Sequence, residues 1–478
     1  MQFTSVLFLL FFTAILAVYW ATPARLATPF GRVRILILLA ASYYFYMSWN
    51  KWLAALVAAT SLADYFMALW MEGCAAQRRR KAILVTSIVM NLGLLIYFKY
   101  ADFFLVSLYE LLGHLGVHGL ALRLDVILPV GISFYTFEAI SYMVDVYHGR
   151  VKAERNAVHF LLFITFFPRM VAGPIIRAKH FLPQMRRITR FSPRRFRLGM
   201  EYVLMGLFKK MVIADNMALQ SDPVFADPQK YFTGAMWIAL VAYSLQIYCD
   251  FSGYSDIAVG LAHMLGFRLP RNFNLPYIAR NISEFWRRWH ISLSTWLRDY
   301  VFISLGGSRG SKAHTAFTLM STMALCGLWH GAKWTFVAFG VMHGLFMVIH
   351  RLAHARAGFA ASLQSAPGIA MRVGLTWLAV AMGWVVFRAQ DFGTAAEFFH
   401  RLFTLQRGVM VRHPVAPSDM LFPLATVGIA HWCALHGRWR KINERLSPVQ
   451  WGFVYATLAL LTALISPTTQ KGFIYFQF

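Results

Sequence analysis

Acidic residues are scarce in this chain: there are 20 Asp and Glu among 478 residues, against 46 Lys and Arg. Charged residues of all kinds make up only 14%, while 58% are hydrophobic and 16% aromatic. A water-soluble fold could not bury that much apolar surface, so a soluble enzyme is excluded. On a soluble chain the net charge of +26 would suggest nucleic acid. On an oily one it reads as cationic loops held against an anionic cytoplasmic leaflet, with membrane lipid and not nucleic acid as the partner. Cysteine is also sparse. Cys74, Cys249, Cys326 and Cys433 form no CxxC pair and no short recurrent spacing, which excludes a disulfide framework and a structural zinc site. Internal repeats, coiled-coil heptads and a disordered tail are lacking as well, so residues 1–478 read as one membrane domain.

Long apolar runs are what the chain has in abundance. A helix needs about 20 apolar residues to cross the hydrocarbon. Such runs recur near 3–20, 35–49, 52–71, 83–98, 127–147, 231–249, 314–334, 335–350, 371–388, 418–436 and 450–466. With the ambiguous ones they predict an all-α, polytopic fold of roughly a dozen helices. The run from Met1 to Trp20 has no basic leader and no small-residue cleavage site, and is expected to be retained as the first span. Two basic loops, with Arg25, Arg32 and Arg34 in one and Arg78, Arg79, Arg80 and Lys81 in the other, are separated by two spans. They therefore share a side, which is cytoplasmic, and the N-terminus lies outside. Residues 102–112 are too short to cross and read as interfacial. The run 157–167 is stopped by Pro168, Arg169 and Gly173-Pro174, which free backbone groups that lipid cannot satisfy, so a re-entrant segment is expected near 157–176. It lies within a catalytic core, 127–350, which follows N-terminal spans (1–126) and precedes C-terminal spans (351–478). The following stretch, 177–197, holds Arg177, Lys179, Arg186, Arg187, Arg190, Arg194, Arg195 and Arg197 and no acid. Topogenic charge and capture of an anionic donor both account for it.

The densest polar and aromatic region is 246–300. Asn281 and Glu284 match an N-x-x-E capping pattern, which predicts a helix from about Ile282. On that helix Trp286, Trp289, His290, Leu293, Trp296 and Leu297 fall on one face, and Glu284 can pair with Arg288. The same pattern fits an interfacial helix with an aromatic belt. His330 lies in a span with almost no other ionisable group before Lys333. A buried imidazole is expensive there unless it has a partner, and structural and reactive roles both remain open. Burial keeps an imidazole neutral and ready to take a proton from a hydroxyl attacking an activated acyl carbon. Cys326, four residues earlier, permits a Cys/His acyl-enzyme scheme, but ordinary packing is the favoured reading, since nothing cationic except His330 is placed to activate the thiol. His350 and His354 have the spacing of a metal pair without a completing ligand, so no metal is expected. His263, His343 and His431 read as packing or pore-lining residues. Asp250 and Asp256 bracket Gly253 like a broken helix, and could orient an imidazole or pair with Arg287 or Arg298.

Six segments in order carry a resemblance: LPVGISFYTFEAISYMVDVY (128–147), FFPRMVAGPIIRAKHFLPQ (166–184), QIYCDFSGYSDIAVGLAHMLGF (246–267), NFNLPYIARNISEFWRRWHISLSTWLRDYVFISLGG (272–307), GLWHG (327–331) and FIYFQF (473–478). Together they resemble the membrane-bound O-acyltransferase (MBOAT) family, in its bacterial alginate O-acetylating branch, which is related to the teichoic-acid D-alanyl transferases. The resemblance implies a ring of helices around a central funnel. It also implies two functional histidines, His290 in WRRWHIS and His330 in GLWHG. His330 would activate the accepting hydroxyl and His290 would position donor or acceptor. Trp286, Trp289 and Trp296 would line the funnel, with Arg287 and Arg298 on the polar side.

The length and the 166–184 segment are more similar to the acetylating members than to the shorter D-alanylating ones. The implied function is acetyl transfer from a cytoplasmic thioester, acetyl-CoA, across a bacterial inner membrane, for O-acetylation of an exported polysaccharide such as alginate. No cofactor is implied, because a thioester is already activated. An extracytoplasmic acetyltransferase partner is implied, since the chain has no GxSxG elbow of its own. Two alternatives stay open. One is D-alanyl transfer to teichoic acid from a carrier-protein thioester; the other is a polysaccharide or lipid transporter in which no bond is broken.

Overall fold

The computed structural model describes residues 1–23, 33–119, 122–124, 126–170, 173–187, 189–354, 364–408, 417–438, 442, 445–467 and 471–474. Among them there is helix and loop but no strand, as the apolar runs predict. The chain divides into two compact units, one of residues 1–200 with 258–270 and the other of 201–257 with 271–478.

The first unit holds α1 (Val6–Ala21), α2 (Val33–Met47), α3 (Lys51–Gly73), α4 (Gln77–Leu95), α5 (Ala101–His114), α6 (Ile132–Tyr147), α7 (Ala157–Thr165), α8 (Phe167–Met170) and α9 (Ala178–Met185). A π-helical turn, Ile96–Tyr100, joins α4 to α5 without a break. Residues 102–112 are thus not a separate interfacial piece; they continue a 38-residue helix, Gln77–His114. Nothing in the sequence between 95 and 101 interrupts helix formation, since no Gly or Pro stands there. The run predicted to re-enter does stop early, with α7 ending before Phe166. The Gly173 N–H donates to the Arg169 carbonyl at 2.8 Å, and a Cβ on Gly173 would collide with Arg169. Two buried carboxylates in this unit are paired. Asp64 accepts from Ser87 Oγ at 2.6 Å and Asn91 Nδ2 at 2.9 Å. Glu138 forms an ion pair with Arg169 and accepts from the Ile176 N–H at 3.0 Å.

The second unit contains most of α12 (Thr233–Met264), α11 (Asp215–Ala226), α13 (Ile282–Arg288), α14 (Ile291–Leu297), α15 (Lys312–His330), α16 (Trp334–His354), α17 (Ala366–Arg388), α18 (Phe392–Phe403), α19 (Pro417–Leu435) and α20 (Pro448–Ile465). A second π stretch, Phe208–Ala214, follows α10 (Pro193–Leu207). The break expected around Gly253 is absent, because α12 runs unbroken through Asp250, Gly253 and Asp256. Gly253 serves close approach instead: a Cβ there would sit 2.7 Å from the Gly206 carbonyl oxygen. Helices α15 and α16 meet at backbone distance in the same way, through Gly327 and Gly340, where a Cβ would fall 2.1 Å from the carbonyl oxygens of Phe336 and Met323.

Among the described residues six helices are long and apolar enough to span a bilayer, and four shorter apolar ones accompany them. Large apolar side chains such as Val6, Trp52, Phe453 and Leu464 lie exposed on them, as lipid-facing surfaces require. The chain is a multi-pass membrane protein.

Candidate active site

The predicted helix start at Ile282 is present. Asn281 caps it, its Oδ1 accepting from the Glu284 N–H at 2.8 Å. Glu284 pairs with Arg288 at 2.8 Å. Burial alone would raise the Glu284 carboxyl, but the Arg280 N–H and the Arg288 guanidinium outweigh it and hold the group below the usual carboxylate range. The single helical face predicted for 286–297 is not formed. Helix α13 ends at Arg288, Trp289 is extended, and His290 adopts φ 42° and ψ 53° before α14 begins. Trp286, Trp289 and His290 therefore do not share one stripe with Leu293 and Trp296.

The reason is a clamp from residues 272–274. The Ile291 N–H donates to the Asn272 carbonyl at 2.9 Å, and Asn272 Oδ1 accepts from the Ser292 N–H at 3.2 Å and from Ser292 Oγ at 2.9 Å. Asn272 Nδ2 in turn reaches Ser255 Oγ on α12 at 3.3 Å, and the Asn274 N–H donates to the Arg288 carbonyl at 2.9 Å. A left-handed residue costs an L-amino acid roughly 1–2 kcal/mol and persists only where its surroundings dictate it.

The clamp sends the His290 side chain fully inside, at 0% exposure. Neither ring nitrogen has a hydrogen-bond partner in another described residue. Burial pushes the imidazole down to about 3, so it is neutral at physiological pH. Its ring lies 4.6 Å from Phe251 and 5.6 Å from Trp329. Trp329 is also 5.1 Å from the ring of His330, so the two histidines flank one indole. His330 closes α15, is buried, and packs on Phe387 at 5.3 Å and Phe339 at 6.1 Å. Cys326 Sγ stands 3.9 Å from His330 Nε2.

The other predicted residues are distributed as follows. Trp289 is buried among Trp384 (4.9 Å), Phe273 (5.0 Å) and Phe285 (5.5 Å). Trp286 donates its indole N–H to His343 Nδ1 at 3.3 Å, and Trp296 packs on Tyr300 at 5.3 Å. Arg287 and Arg298 are exposed, the latter paired with Asp299 at 2.9 Å. The proposed pairing of Asp250 and Asp256 with these arginines is corrected. Asp250 is bound by Lys210 at 2.5 Å and Asp256 by Lys209 at 2.6 Å. Both lysines come from the π stretch, and sequence periodicity gave no signal that it faces α12. Asn272, Phe251 and Trp329 carry no separate signal in the sequence, although each lies inside one of the motifs. His343, read as a packing or pore-lining residue, is buried and bonded to Trp286.

The helices mark a membrane protein, and two buried histidines, His290 and His330, flank Trp329 within it. The chain belongs to the membrane-bound O-acyltransferase family, whose model, MBOAT, matches residues 150–387. It is an O-acyltransferase. It is 42% identical over 411 residues to the "Probable alginate O-acetylase AlgI" of Azotobacter vinelandii, covering 84% of this chain and 78% of that one. To the "Peptidoglycan O-acetyltransferase" of Helicobacter pylori it is 35% identical over 407 residues, covering 79% and 75%. A "Teichoic acid D-alanyltransferase" of Streptococcus thermophilus is 32% identical over 247 residues, 46% of this chain and 56% of the other.

Proposed function

We propose that this protein moves an acetyl group from a cytoplasmic thioester, acetyl-CoA, to an acceptor hydroxyl on the outer side of a bacterial inner membrane, supplying O-acetylation of an exported polysaccharide such as alginate. The observation that carries the reading is the pair of buried histidines flanking Trp329. The breadth of likeness to acetylating relatives, against less than half of the chain for the D-alanylating one, favours acetyl over D-alanyl.

In the reaction the hydroxyl oxygen forms a bond to the acyl carbon and the carbon–sulfur bond breaks. The proton leaves the hydroxyl for the His330 imidazole and passes to the departing thiolate. His290, whose ring nitrogens have no partner in another described residue, offers a hydrogen bond that orients donor or acceptor. An extracytoplasmic acetyltransferase partner receives the group. The basic segment 177–197 lies on the donor's side and attracts its phosphates.

The test is transfer of label from radioactive acetyl-CoA in vesicles holding the protein with its partner. His330→Ala is expected to abolish transfer at unchanged membrane abundance. Retained transfer removes His330 from the mechanism, and label accepted only from a carrier-protein thioester replaces the donor assigned here.

A further inference from the structure

His290 has no hydrogen bond to another described residue, so the rings packed against it help to fix its orientation. Whatever holds Phe251 and Trp329 therefore helps to hold His290. Phe251 lies edge-on to the imidazole, with ring centroids 4.6 Å apart and planes at 80°. Phe473, at 0% exposure, lies 5.8 Å from Phe251 and 4.5 Å from Tyr254. A chain of rings thus runs from Phe473 through Phe251 to His290.

The backbone on both sides of Phe473 is tied to one buried cluster. Lys210, 2% exposed, sits 2.5 Å from Asp250 Oδ1 and 2.8 Å from Asp215 Oδ1, and its Nζ donates to the Gly472 carbonyl at 3.4 Å. Asp250 Oδ2 accepts the Ile474 N–H at 2.8 Å. One residue earlier, Lys471 pairs with Asp222, which Arg388 also holds at 3.1 Å. Buried ion clusters are weak stabilisers compared with apolar packing, because desolvation consumes most of the attraction. What this one does that an apolar contact does not is fix register. With the carbonyl of 472 and the N–H of 474 both fastened, the side chain of 473 has one direction left, toward Phe251 and Tyr254.

We propose that residues 471–474 form a strap, anchored by Lys210 and Asp250, whose Phe473 ring holds Phe251 against His290, making Phe473 and Lys210 positioning residues for the site. The proposal rests on His290 belonging to that site.

The test is modification of histidines by diethyl pyrocarbonate, read by mass spectrometry on the purified full-length protein. In the wild type, His290 and His343, both at 0% exposure, are protected. Phe473→Ala is expected to speed modification of His290 by at least about tenfold, through local opening, while His343 stays protected. Lys210→Met is expected to give the same change to a smaller degree, and Phe473→Tyr, which keeps the ring, to restore protection. Protection of both histidines in Phe473→Ala and Lys210→Met overturns the strap. Equal exposure of both also overturns it, since the segment would then support the whole unit and not His290. Label transfer on the same preparations is read separately. A wild type without acetyl transfer counts against the proposed donor and leaves the footprint, and hence the strap, to be judged by itself.

Discussion

The left-handed conformation of His290 is maintained by hydrogen bonds that converge on one carboxamide, Asn272. Asn272→Ala leaves the N–H and O–H of Ser292 without their buried acceptor, at a cost of about 1–3 kcal/mol. If the released strain shifts the imidazole, label transfer falls roughly ten- to a hundredfold. Asn272→Asp, which keeps the acceptor oxygen, is expected to retain more activity than Ala. Equal transfer by Asn272→Ala and wild type, at equal abundance, would show that the clamp does not matter to the site. The two histidines stand out in the sequence through the motifs WRRWHIS and GLWHG, and the structure buries both beside Trp329. Asn272 was not legible: an asparagine in a loop ordinarily signals a turn, and its partner lies 20 positions away. His343 was read as packing, yet its Nδ1 accepts the Trp286 indole N–H, a contact between helices that no periodicity discloses.

Local signals served well where an element is governed by its own residues, as at the Asn281 cap and the early stop of α7. They failed where a neighbour decides. No Gly or Pro marks the break between α13 and α14, and Gly253, which looks like a break, is needed for packing against Gly206. Gly253→Ala is therefore expected to destabilise the protein by about 1–3 kcal/mol through overpacking. Gly452 in α20 is the control, since a Cβ there meets nothing within 4 Å. Gly452→Ala should leave stability unchanged or raise it by about 0.5–1 kcal/mol. Thermal unfolding in detergent separates the two variants, and a Gly253→Ala protein as stable as wild type would mean that α10 and α12 can part without cost.

For the molecule as a whole, composition alone announced the multi-pass class, and apolar run length found most of the helices. Length could not tell that 83–98 and 102–112 belong to one helix, because each was judged by whether it could span alone. The positive-inside rule makes a further prediction about sidedness. A cysteine replacing exposed Arg187 should react with an impermeant maleimide only after the membrane is opened from the cytoplasmic side. Labelling from outside intact cells would invert the orientation and place the donor on the wrong face. The helix Gln77–His114 adds a matter of height. Thirty-eight residues at ~1.5 Å each make a rod of about 57 Å, against ~30 Å of hydrocarbon. Much of it must stand clear of the oil like a stilt, and Asp102, about two-thirds of the way along that rod, accepts the Leu124 N–H. Leu124 is thereby carried at a set elevation relative to the lipid, and a bilayer of different thickness would lift or lower it together with the helix.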